Sequence, residues 1–63
     1  MCLSTVYKNT MEETSVAMKN VMKIECRENQ VILTDLMDRT LTIDGQLVQA
    51  NLVDGFVIVK TEN

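Results

Sequence analysis

With 63 residues, a net charge of −3 and a pI near 4.6, the chain is read as one small acidic domain spanning residues 1–63. A chain this short buries only about 60% of the surface its unfolded form exposes, so a disulfide, a metal or a partner copy is expected to help hold it. Tyr7 and Phe56 are its only aromatics, and Lys8, Lys19, Lys23, Arg27, Arg39 and Lys60 are scattered, which argues against a nucleic-acid binder.

In chain order the pattern is one of short strands between turn signals. Residues 2–8 (CLSTVYK) are rich in β-branched and aromatic types and predict a strand. Lys8-Asn9-Thr10 starts a polar turn. Residues 13–18 (ETSVAM) fit helix or strand; the segment is too short for an independent helix, so a strand is expected. In residues 20–26, Met22, Ile24 and Cys26 alternate with Val21, Lys23 and Glu25, which predicts a half-buried strand with a buried, inert Cys26. Arg27-Glu28-Asn29 makes a hairpin connection to residues 30–36, where Val31, Ile32 and Leu33 are apolar on both faces. Met37-Asp38 turns the chain into residues 39–44, with Leu41 and Ile43 on one face. Gly45 is expected to permit a bend before a strand at 46–53, with Val48, Ala50 and Leu52 on one side. Asp54-Gly55 is the strongest turn signal, since both positions of a primed turn want positive φ. The last strand is 56–60.

These six to seven short strands predict an all-β fold, a small barrel or a strongly bent antiparallel sheet. The two-faced apolar strands at 31–33 and 56–59 need a second cover, so a homodimer is expected. No apolar run approaches a membrane span, and MCLSTVYKNT lacks the basic and apolar regions of a signal peptide. The expected setting is the cytoplasm, with reduced thiols.

The chain contains no histidine, no GxSxG elbow and no Gly-rich phosphate loop, so it is not expected to be an enzyme. Asp35, Asp38, Asp44 and Asp54 fall near strand ends and read as turn formers. Met18 and Met22 read as core filler. Cys2 is the residue with chemistry to offer. One reading is a small hydrophobe on a terminal strand. The other is a metal ligand: with Met1 retained, its backbone amine, the Cys2 amide nitrogen and the Cys2 thiolate form two fused five-membered chelate rings. With Met1 removed, the Cys2 amine and thiolate form one. Such planar N/S donors suit square-planar Ni(II) or Cu(II) better than tetrahedral Zn(II).

The start MCLSTVY, the pair Asn20-Val21 leading into Ile24-Glu25, the block Val31-Ile32-Leu33-Thr34-Asp35-Leu36, the central Gly45 and the run Asn51-Leu52-Val53 carry a resemblance over nearly the whole chain. The chain resembles the CooT family, small nickel-binding accessory proteins associated with carbon monoxide dehydrogenase maturation. The resemblance implies a cytoplasmic homodimer with an SH3- or Sm-like barrel. It implies Cys2 as the Ni(II) ligand and a metallochaperone or nickel-storage role, with a client metalloenzyme or other nickel chaperones as partners. The competing reading is a small protein- or RNA-interaction module of the same fold with no metal role; fold alone does not choose between them.

Overall fold

The computed structural model describes residues 3–61. Five strands close into a barrel in sequence order: β1 (Ser4–Lys8), β2 (Val16–Arg27), β3 (Gln30–Asp35), β4 (Thr40–Asn51) and β5 (Phe56–Thr61). Successive strands pair antiparallel, and β1 closes the ring by pairing parallel with β5. A 3-10 turn, Glu13–Ser15, leads into β2. The expected small all-β barrel is therefore present.

Its strand count is five rather than six to seven because two expected breaks are corners within long strands. Segment 13–18 divides between the 3-10 turn and the start of β2, which then runs unbroken through Asn20 for twelve residues. Asn20 has φ 56°, and the register slips between Val21 and Lys23. Before this bulge β2 pairs with β1; after it, β2 pairs with β3. β4 behaves alike. Residues 40–44 pair with β3 and residues 45–51 with β5. Gly45 is thus the point at which a continuous strand changes neighbours, not a bend between two strands. Its lack of a side chain serves close approach: a Cβ there would overlap the Lys60 carbonyl oxygen and lie 2.9 Å from the Lys60 carbonyl carbon.

The turns follow side-chain chemistry. Asn9, Asn20, Asn29 and Asp38 are the non-glycine residues with positive φ among the described residues, and Asn and Asp are the types that tolerate the left-handed region. The Asp54-Gly55 signal marks a real turn of a different kind. Only Gly55 of that pair has positive φ, 78°. The connection spans residues 52–55 and is capped by Asn51, whose Oδ1 accepts from the Val53 and Asp54 N–H groups at 3.2 and 2.9 Å. This Asx-type cap replaces the expected two-residue primed turn.

Every strand contributes to the core, which comprises Val6, Val21, Val31, Leu33, Ile43, Val57 and Val59. Five of these seven are valine, a small branched side chain that suits both a pleated strand and the narrow interior of a five-stranded barrel. Ala17, Met18, Ile24 and Leu41 pack around them. Met18 and the Leu41–Ile43 face fill the core as expected. Met22 does not: it is 47% exposed. The bulge adds one residue to β2 and reverses the phase of its alternation, so Val21, not Met22, joins Ile24 on the inner face.

Candidate functional site

Met1 and Cys2, the expected metal ligands, lie outside the described residues. The chain enters the description at half-buried Leu3, and one residue later Ser4 is buried at the start of β1. This start is held on both sides. Ser4 lies opposite Val21 on β2, and the Thr5 N–H donates to the Gly55 carbonyl at 2.9 Å. Gly55 also lies close under the Leu3 carbonyl; a Cβ there would meet that oxygen at 3.5 Å. Beside the start of β1 opens a groove of about 420 Å³ lined by Ser4, Val21, Met22, Lys23, Ile24 and Leu52. Met22 and Leu52, 65% exposed, give it an apolar rim.

Among the described residues no cluster of three or more His, Cys, Asp or Glu side chains could hold a metal ion. Cys26, expected in the core, is an exposed free thiol. Its register opposite Val31 does put it on the inner-facing side of β2. It sits at the open end of the β2–β3 hairpin, next to the Glu28-Asn29 turn, where the barrel no longer covers that face. On the opposite phase of the same strand, Glu25 pairs with Lys23 at 3.2 Å and Arg27 at 3.4 Å, all three solvent-exposed enough for the pairs to contribute little to stability.

Asp35 is the polar residue whose importance the sequence understated. It is the turn former its position near a strand end predicts, but a buried one, only 2% exposed. Its Oδ1 accepts from the backbone N–H groups of Met37 and Arg39, both at 2.9 Å, and its Oδ2 accepts from Arg39 Nε at 2.8 Å. The Arg39 backbone N–H is the main cause holding the Asp35 carboxyl below the usual aspartate range. Burial pushes the other way, and the Arg39 side chain and Met37 N–H add to the lowering. The signal available in the sequence was the spacing Asp35–Arg39 across a short turn with Asp38 at its positive-φ position. That spacing gives a cation within reach but says nothing of burial.

No curated protein matches the chain. Among solved structures, the crystal structure of a protein assigned as CooT from Carboxydothermus hydrogenoformans superposes with a TM-score of 0.82, covering 98% of this chain and 100% of that one at 16% identity. At that identity the likeness speaks for the barrel alone. The model of the family described as CO dehydrogenase accessory protein CooT matches residues 1–60, nearly the full length and including the Met1-Cys2 start. The chain belongs to the CooT family of carbon monoxide dehydrogenase accessory proteins.

Proposed function

We propose that this chain is a nickel carrier for the maturation of a carbon monoxide dehydrogenase-type metalloenzyme, binding Ni(II) through the Cys2 thiolate and the Met1 backbone amine. The observation that carries this reading is the family match, which runs from Met1 and so takes in the Met1-Cys2 segment, whose thiolate, amine and amide donors lie within a few bonds of one another. The nickel ion is cargo. The chain binds and hands it on and catalyses no reaction of its own, in the cytoplasm where the client matures.

The donor chemistry supports the reading. A thiolate, an amine and an amide nitrogen within a few bonds make a planar chelate that favours square-planar Ni(II). The thiol and amine must lose protons to bind, so affinity falls as pH is lowered. Cu(II) would bind the same donors more tightly, so selectivity rests on metal supply and on the client. A homodimer is part of the proposal, since Val48, Leu52 and Val53 are 60%, 65% and 96% exposed and gain from cover. Two copies of Cys2 could then share one ion.

The test is a Ni(II) titration of tag-free protein, followed by absorption and calorimetry, beside Cys2→Ala. The expected outcome is a thiolate-to-nickel charge-transfer band and saturation at one metal per two chains, both lost in Cys2→Ala. Binding that survives the substitution, or no binding at all, would remove Cys2 from the site and leave the chain an interaction module.

A further inference from the structure

A second groove, of about 440 Å³, lies at the opposite flank of β2 and shares no lining residue with the groove beside Ser4. Ala17, Met18 and Leu41 contribute apolar surface to it, and all three pack on the core. Its cations are Lys19 and Arg39. Arg39 is aimed rather than loose. Its Nε is bonded to buried Asp35 at 2.8 Å while its side chain stays 75% exposed, which leaves the Nη edge turned to solvent. Lys19 is exposed and, among the described residues, has no ion-pair partner, whereas Lys23 and Arg27 are both engaged by Glu25.

The Asp35 carboxylate also lines the groove and is taken up by Arg39 Nε, so on a chain of net charge −3 the unpaired Lys19 and the outer edge of Arg39 leave the groove net positive over a core-backed apolar floor. We propose that this groove docks an acidic, apolar segment of a partner protein. A partner carboxylate meets the Arg39 Nη edge and Lys19, and its neighbouring apolar side chain rests on Met18 and Leu41. A guanidinium already fixed by a second carboxylate has lost its freedom before binding, so the partner need not order it. A bare inorganic anion would leave the apolar floor wet, which favours a peptide. The volume is within the range of sites that hold a few residues of a ligand. This inference goes beyond the nickel reading and does not use Met1 or Cys2.

The experiment titrates isotope-labelled full-length protein with a blocked peptide of alternating Glu and Leu, with its Lys–Leu counterpart and with inorganic phosphate, following amide resonances. Saturable shifts centred on Lys19, Asn20, Thr40 and Leu41 are expected for the Glu–Leu peptide alone, with Kd of about 0.1–1 mM and weaker binding as salt rises. Lys19→Glu, at an exposed position, should fold normally and weaken binding roughly tenfold. Cys2→Ala should bind the peptide as wild type does, so failure of the nickel reading leaves this result standing. No shifts at these residues, an equal response to the Lys–Leu peptide, or full binding by Lys19→Glu would overturn the proposal. Phosphate producing the same shifts at equal affinity would replace it with a simple anion site.

Discussion

Gly45→Ala adds a single methyl group and should be among the most damaging small changes available to this protein. Gly45 is buried where β4 leaves β3 for β5. Its N–H still donates to the Asn29 carbonyl at 3.0 Å on one side, while Thr61 lies opposite on the other. The strand is therefore pinned from both flanks. A Cβ would overlap the Lys60 carbonyl oxygen and sit 2.9 Å from the Lys60 carbonyl carbon and 3.0 Å from the Thr61 Cα. These are backbone atoms and cannot rotate aside. Overpacking costs about 1–3 kcal/mol where side chains can adjust, so about 3 kcal/mol is the expected cost here. A domain of 63 residues has a total stability of only about 3–9 kcal/mol. The urea midpoint should fall by about 3 M for a slope of about 1 kcal/mol/M, and the melting temperature by about 20 °C. Gly55→Ala is the control. There the nearest atom, the Leu3 carbonyl oxygen, would be at an ordinary 3.5 Å, but φ is 78°, so the cost is conformational, about 1–2 kcal/mol. Gly45→Ala within 1 kcal/mol of wild type, roughly, or less harmful than Gly55→Ala, would refute the close-approach account.

Two further outcomes test the polar and thiol chemistry. The lowered Asp35 carboxyl contributes stability that is complete above its ordinary value of 3.8 and is lost as pH falls through the lower folded value. Acid titration of stability should therefore show a limb below pH 3.8 that flattens in Asp35→Asn, with the variant also weaker at neutral pH; identical acid limbs would remove Asp35 as their source. Cys26 in a Cys2→Ala background should react with a thiol reagent as fast in the native protein as in urea, and Cys26→Ser should change stability by less than about 0.5 kcal/mol. Protection of the thiol until unfolding would contradict its exposure.

What alternation and turn chemistry reveal of this fold, and what they hide, follows from where single residues carry one role or two. Asn9, Asn29 and Asp38 were legible as turns because each occupies a positive-φ position that few residue types tolerate. The core strands were legible because β3 and β5 present apolar side chains on both phases, so no error of phase could hide Val31, Leu33, Val57 or Val59. The two corners are hidden in the sequence because one residue does two jobs at each. Asn20 carries a turn-like conformation inside a continuous ladder, and Gly45 carries a breaker's composition where only its missing side chain matters. Both corners look like ends of strands in one dimension. The Asn20 error then propagated: without the bulge, Met22 and Cys26 share the inner face with Ile24, and with it Met22 turns outward. Cys26 failed for a separate reason, the finite length of the barrel, which alternation cannot express.

The candidate metal site was legible only as chemistry, through the donors of Met1 and Cys2, yet the described fold limits what could complete it. Two residues reach at most about 7 Å of chain from Leu3. Leu3 leads directly into a strand start tied to Gly55 and lying opposite Val21. The groove beside that start is lined by Ser4, Val21, Met22, Lys23, Ile24 and Leu52. Of these side chains only the Met22 thioether and the Ser4 hydroxyl are neutral donors, and Ser4 is buried. Lys23 is a cation, which repels a metal ion, and it is already drawn to Glu25. In the nickel reading the two terminal residues therefore supply nearly all the ligands that this copy can give. An ion held that way has coordination positions left for a second copy or for the client, and such a site can be emptied one ligand at a time. A closed cage of barrel side chains would bind more tightly and deliver less readily, and among the described residues the barrel offers none.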